Sequence, residues 1–412
     1  MSKGGLSFGF IQKLCVLYLA VWTISPPLEI DMIYRFIALG AAVLWFFIMI
    51  IRAGELSLSS SDLASLGFMA VIMIIEYIAT GSFSGVIKLI AYYILIMCYI
   101  MNRRYNGNWD ELKGIIQIVL ILCIFFNFKS FSVLKENPTI ARLLVRDTPE
   151  IYEYLRQGVG GYSLIYPQVC IIPAGVAWTL SSFKHNKLDF IIGTVWLISF
   201  VMYSLNAGYS LALFASAVGI VMLFFYKGKS GMAAFLVAVG IFAAVMLSIL
   251  YIDSLRNFLL TQFDGTAVAK KINDLVSSSE TGSAEGSIGD RMKAYSASIK
   301  AIFQYPIIGA LWRPKGGGGG HSAFLDTLAK YGIAGGVIFT RVMYTVPNFY
   351  KNNYDDSYIM RTANATLVTL LFVTVLDTFT YSFVCMIMFI TPMLFEDIIK
   401  WRGIKNESSV ER

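Results

Sequence analysis

The sequence predicts an all-α polytopic membrane protein of about twelve transmembrane helices, and three observations carry that prediction. Hydrophobic residues make up 57% of the 412-residue chain and charged residues only 14%, where a soluble domain carries roughly one quarter charged. The mean hydropathy is +0.67. Apolar runs of about 20 residues, the length that crosses a bilayer core, recur from one end to the other. Those runs lack period-2 alternation, which argues against a membrane barrel. A spanning chain must satisfy its own backbone, so helices remain.

The runs fall near residues 9–25, 30–51, 63–80, 84–101, 111–128, 161–181, 188–205, 210–226, 231–252, 330–350, 362–379 and 381–399. The first follows Lys3 but has no small-residue cleavage site before Pro26 and Pro27, so it reads as a retained span rather than a removed signal.

Short loops set the orientation, because Lys and Arg collect on the cytoplasmic side. NRRYNGNWDELK, KHNK, KGK, KNNYDDSYIMR and the tail KWRGIK occupy alternate loops. All of them share one side if both termini are cytoplasmic. The opposite short loops, TGSFS and NAGYS, carry no charge. The formal net charge of +7 is then mainly topological, and no nucleic-acid partner is expected. All five cysteines fall inside spans, so no disulfide framework is expected.

The chain divides into N-terminal spans over 1–128, a first external loop over 129–160 and central spans over 161–252. A second external loop over 253–329 follows, then C-terminal spans over 330–399 and a tail over 400–412. Within the second loop, TGSAEGSIGD is a flexible Ser/Gly/Glu segment. Ile288, Met292, Tyr295, Ile299 and Ile302 then follow a 4-3-4-3 spacing, one face of a helix lying at the membrane surface. Its other face carries Lys293, Ser296, Lys300 and Gln304, and Pro306 ends it.

Candidate chemistry gathers on the external loops. Of two histidines, His185 sits in the cytoplasmic KHNK turn, so His321 is the external one. It follows five glycines and opens a helix whose N-terminal N–H groups favour anionic ligands. An imidazole exchanges a proton near neutral pH, as a general base must. The glycines read either as a mobile tether or as backbone that a bulky group approaches closely. Gly332 and Gly336 further on read as small residues for close helix packing.

Arginine binds phosphate bidentately, and Arg156 and Arg291 each precede a segment entering the membrane from outside. Arg142, Arg146, Arg313 and Lys315 add external positive charge. Arg35, Glu76, Lys88 and Asp377 each lie within a turn or two of an external span end. Charge at that depth usually marks a cavity or a pair, so the four suggest a polar basin opening outward. No metal site is expected, since external cysteines and a second external histidine are both missing.

These residues resemble a known family. HSAFLDTLAKYGIAGG fits a His, then Asn, Ser or Gln, nine residues, Gly, two residues and a small residue. That pattern is similar to the O-antigen ligase and polymerase superfamily. GSIGDR followed by FQYPIIGA resembles its Arg-bearing helix and Pro-x-x-Gly segment, and RQGVGGYSLIYPQ resembles its other Arg segment.

The resemblance implies a GT-C-like fold in a bacterial inner membrane, with both long loops periplasmic. It implies a metal-independent, cofactor-free inverting glycosyltransferase that takes a glycan from undecaprenyl pyrophosphate. His321 would activate the acceptor hydroxyl, and Arg156 and Arg291 would hold the pyrophosphate and stabilise its departure. Donor and acceptor lipid-linked oligosaccharides, membrane lipids and a chain-length regulator protein are the implied partners. The central external turn, NAGYS, departs from the Ser-Arg that ligases often carry there. An oligosaccharide repeat-unit polymerase of lipopolysaccharide biosynthesis is therefore the first expectation, a ligase acting on lipid A–core the second. A flippase would need polar residues reaching both faces, whereas here they concentrate on one.

Overall fold

In the computed structural model the described residues are 8–53, 73–79, 114–137, 149–228, 230–262, 286–311, 318–377 and 386–404, with a few single positions between them. Among them the chain is helical and no strand occurs. In order the helices are α1 (Phe8–Ile24), α2 (Pro26–Ile30), α3 (Met32–Ala53), α4 (Ile115–Glu136), α5 (Pro149–Arg156), α6 (Tyr162–Ser182), α7 (Lys187–Ala207) and α8 (Ser210–Phe225). They continue with α9 (Gly231–Tyr251), α10 (Asp253–Gln262), α11 (Gly286–Gln304), α12 (Ala323–Met343), α13 (Thr345–Asn353) and α14 (Ser357–Leu376). A π-turn at Met386–Ile390 leads into α15 (Thr391–Arg402).

Among the described residues five helices are long and apolar enough to cross a membrane: Met32–Ile51, Ile115–Glu136, Tyr162–Ser182, Lys187–Ala207 and Ser357–Leu376. The bent pair α9 and α10, meeting at 93°, makes a sixth if counted as one span. Helices α1 and α8 are apolar but shorter. Most of the expected spans 63–80 and 84–101 lie outside the described residues. The expected span 330–350 is not one helix, because α12 has a non-helical residue at Gly332 and α13 begins anew at Thr345.

The chain forms two compact units. The first comprises Met1–Ser130, Arg142–Ser199 and Thr380–Lys405. Its interior is pinned by a reciprocal amide pair across α4 and α6. Asn127 Nδ2 donates to Gln168 Oε1 at 3.0 Å and Gln168 Nε2 donates to Asn127 Oδ1 at 2.9 Å. Helix α7 joins through Trp196 Nε1, which donates to Gln168 Oε1 at 2.8 Å, and through Ser199 Oγ, which accepts from Asn127 Nδ2 at 3.1 Å. All four side chains are fully buried, and bonds of this kind between membrane helices contribute about 0.6 kcal/mol each. Gly175 and Gly193 let α6 and α7 approach, since a Cβ at either would collide with Trp196 or Thr179.

The second unit comprises Phe131–Ala141, Phe200–Phe379 and Asn406–Arg412. Helix α14 is its centre, packed against α8, α9, α12 and α13. Asp356 starts α14 by accepting from Tyr358 N at 2.8 Å and Ile359 N at 3.0 Å, a carboxylate N-cap. It ends at Asp377, whose backbone turns extended.

Helix α12 breaks where Gly332 takes φ +67° and ψ −162°, a region open to glycine. The turn after α11 supplies the partners that the break orphans. Ala310 N donates to Ala329 O at 2.7 Å, Leu311 N to Lys330 O at 3.3 Å, and Ile333 N to Pro306 O at 2.8 Å. A Cβ at Gly332 would strike the Ile307 carbonyl, and one at Gly309 would strike the Lys330 carbonyl. The PIIGA and YGIAG stretches are thus two halves of one knuckle. Gly332 serves a backbone break rather than the helix packing its spacing suggested.

Candidate functional site

His321 lies at the foot of α12, half-buried, just ahead of the N-cap Ser322. The cap is built in both directions. Ser322 Oγ accepts from Leu325 N at 3.1 Å, while Asp326 Oδ2 accepts from Ser322 N at 3.1 Å. This is a capping box lengthened by one residue, and it satisfies donors the first turn would otherwise leave bare. Ala323 N, the next free donor, bonds Asp377 O at 2.8 Å. Among the described residues no hydrogen bond or ion pair involves the His321 imidazole.

The glycines before His321 are anchored where the structure describes them. Gly319 N donates to Ser298 Oγ of α11 at 2.8 Å, and a Cβ at Gly319 would strike the Ala294 carbonyl. Gly318 and Gly320 take φ values of +124° and +77°. The Ser298 hydroxyl in turn donates to Asp326 Oδ1 at 2.6 Å, a short bond expected of a charged acceptor. The close contact at Gly319 is with α11 itself, not with the bulky group that one sequence reading of this run expected. Gly316 and Gly317 lie outside the described residues.

Arg291 reaches the same place from α11. Its Nη1 donates to Leu376 O at 3.0 Å and its Nη2 lies 3.9 Å from Asp377 Oδ2. The Tyr295 hydroxyl, one turn on, donates to Leu376 O at 2.9 Å. The C-terminal carbonyl end of α14 carries partial negative charge, so a guanidinium is favoured there. Asp377 is 3% exposed, and a buried carboxylate needs the cation beside it. Burial pushes the Tyr295 phenol up, Arg291 partly offsets this, and Asp377 and Asp326 add to the rise.

Residues 291, 295 and 298 form one stripe of α11 at i, i+4 and i+7, and that stripe faces the protein. Met292, Ile299 and Phe303 are exposed beside it. The expected apolar face is therefore split. Met292 and Ile299 stay outside, whereas Tyr295 turns inward because its hydroxyl finds the α14 carbonyl.

The other expected site residues are distributed as follows. Arg156 ends α5 in the first unit, 67% exposed, with Nη2 4.0 Å from Asp31 Oδ1. Such an exposed pair contributes little. The loop behind it is fixed, since Gly160 N donates to Ser130 Oγ at 2.8 Å and Gly158 takes φ +85°. Arg35 is exposed near the start of α3, and Glu76 is half-buried within the helical residues 73–79, both in the first unit. Lys88, Arg142, Arg146, Arg313 and Lys315 lie outside the described residues. Of the four charges expected to share a basin, Asp377 has a partner the sequence did not suggest, Arg291.

His185, in the first unit, lies parallel to the Trp401 ring at 6.4 Å between centroids. Among the described residues no group of three or more His, Cys, Asp or Glu is arranged to hold a metal ion. Sequence reasoning missed Ser298 and Asp326. The signals were present, a polar stripe beginning at Arg291 and an acid four residues after the cap Ser322.

The site offers an imidazole at the foot of α12 and a guanidinium on α11, the two helices both bonded to the C-terminal end of α14. That pairing can take a proton from one partner and carry negative charge on another. No protein-family model matches the chain, and no curated protein matches it.

Proposed function

We propose that this protein is a membrane glycosyltransferase that joins undecaprenyl-pyrophosphate-linked oligosaccharide repeat units on the periplasmic face. The observation that carries the proposal is that two contacts share the C-terminal end of α14 at Leu376 and Asp377. Arg291 is bonded there, and so is Ala323, two residues beyond His321. Of the three residues that the family motifs single out, Arg291 and the helix that His321 precedes are thus bonded to one helix end within the second unit, while Arg156 belongs to the first. A twelve-span GT-C-like architecture, an inner-membrane location and cytoplasmic termini belong to the same proposal.

In this mechanism the His321 imidazole accepts the proton of the acceptor sugar hydroxyl. The freed oxygen pair attacks the anomeric carbon of the donor, and the bond from that carbon to the pyrophosphate oxygen breaks with inversion. The electrons leave on undecaprenyl pyrophosphate. Arg291 meets that charge, an interaction that strengthens as the bond breaks and so lowers the barrier. A diphosphate is a good leaving group, which makes charge stabilisation matter more than its protonation. Arg156 is assigned a share in binding pyrophosphate by its RQGVGGY motif alone.

The choice of polymerase over ligase rests on NAGYS standing where ligases often carry Ser-Arg. A deletion strain complemented with wild type or His321→Ala, read on a lipopolysaccharide gel, tests it. Core capped with one repeat, restored to a ladder by wild type alone, is the expected result. Bare core in the deletion would mean a ligase, and a full ladder in the deletion would refute both.

A further inference from the structure

We propose that Ser298 and Asp326 are positioning residues that hold His321 for its work, an inference that rests on the assignment of His321 to the acceptor hydroxyl. The case is geometric. His321 has glycine before it and a helix cap after it, and each neighbour is tied to the same small cluster. On one side, Gly319 N is bonded to Ser298 Oγ at 2.8 Å. On the other, Ser322 N is bonded to Asp326 Oδ2 at 3.1 Å. Ser298 Oγ to Asp326 Oδ1 at 2.6 Å closes the circuit between them.

The backbone on both sides of the histidine is therefore fixed by a single hydroxyl–carboxylate unit, with the imidazole left outside it. The unit is also buried. Ser298 is 1% exposed and Asp326 9%, so solvent hardly competes for either. Glycines at 318 and 320 with positive φ have no stiffness of their own to hold the segment. The clamp supplies it.

Each atom of the clamp has a distinct duty. A serine hydroxyl accepts from Gly319 and donates to the carboxylate, which alanine can do in neither direction. The carboxylate accepts at both oxygens, whereas an asparagine in the same shape accepts at one and presents N–H at the other. Asp326→Asn is thus a near-isosteric cut of one arm. Ser298→Ala cuts both, and Ser298→Thr keeps the hydroxyl.

The chain's two histidines allow a readout separate from activity. With histidine labelled in 13C, the purified full-length protein in detergent gives two imidazole environments. His185, stacked against Trp401 in the first unit, reports whether that unit is intact, and the detergent-titration midpoint by circular dichroism reports on the second. Ser298→Ala and Asp326→Asn are expected to shift or broaden the His321 resonances while leaving those of His185 in place. Ser298→Thr should return them towards wild type.

Repeat-unit elongation by the same preparations should fall about tenfold to a hundredfold in kcat, with KM little changed, since a displacement of about 1 Å is enough for such a loss. His321 resonances identical to wild type in both Ser298→Ala and Asp326→Asn would overturn the clamp. If Ser298→Ala disturbs His185 as well, Asp326→Asn decides alone. Displaced His321 resonances with undiminished elongation would support the clamp and overturn the assignment of His321 instead.

Discussion

Replacing Gly332 by alanine should destabilise the second unit by roughly 4 kcal/mol, an effect that can be worked from the knuckle. An alanine at φ +67° and ψ −162°, a region essentially confined to glycine, costs about 1–3 kcal/mol in backbone strain alone. Its Cβ would also strike the Ile307 carbonyl, a backbone atom that cannot swing aside as a side-chain tip could. Relief requires the 306–311 segment to lift from α12. That loses the bonds Ala310 N to Ala329 O, Leu311 N to Lys330 O and Ile333 N to Pro306 O, each contributing about 1 kcal/mol net. The control is Gly40→Ala in α3, where a Cβ meets nothing within 4 Å. Alanine should be neutral or favourable there, as in any open helix position. Titration of the purified protein from mild detergent into sodium dodecyl sulfate, followed by circular dichroism, measures both. Equal midpoints for Gly332→Ala and wild type would refute the reasoning, since the break would then be a feature the chain does not need.

Other consequences can be measured in the same preparations. Arg291→Lys should bind an undecaprenyl pyrophosphate donor more weakly than wild type and elongate at least about tenfold more slowly, because an ammonium lacks the planar fork that grips a diphosphate; equal rates would show that a point charge suffices. Tyr295→Phe should lose about 0.5–1.5 kcal/mol at neutral pH with its bond to Leu376 O. Its pH dependence has a fixed sign. The folded phenol holds its proton longer than the unfolded one, so wild-type stability falls as pH rises past the ordinary tyrosine value of about 10, and the phenylalanine variant should fall less steeply. Gln168→Leu should cost about 1–3 kcal/mol by leaving the buried Asn127 amide and Trp196 N–H unsatisfied; an unchanged midpoint would mean the amide pair is not a lock.

The helices were largely legible in the sequence because hydropathy reports burial in lipid and protein alike. The expected spans 161–181, 188–205, 210–226 and 231–252 correspond to Tyr162–Ser182, Lys187–Ala207, Ser210–Phe225 and Gly231–Tyr251. The break in α12 was not legible. Hydropathy averages over Gly332, and a glycine four residues from another reads as a packing pair until its φ is known. His321 stood out as the histidine of the external loops, and Arg291 as one of two arginines preceding a segment that enters the membrane. What holds them did not, since Ser298 and Asp326 lie 28 residues apart and meet through the turn of the chain between α11 and α12. Tyr295 was placed on the apolar face by spacing alone. Its hydroxyl reverses that, and a phenol's behaviour depends on whether an acceptor is within reach.

The central claim is that this chain transfers glycan from a pyrophosphate-linked lipid and that His321 acts at the acceptor. The most direct test is purified protein in detergent with undecaprenyl-pyrophosphate-linked repeat units, with and without chelator, the products sized by gel. The account predicts a ladder from wild type that chelator does not suppress, and single repeats from His321→Ala carrying an unchanged His185 resonance. A ladder of normal length and rate from His321→Ala, or no extension at all by folded wild type, would contradict it.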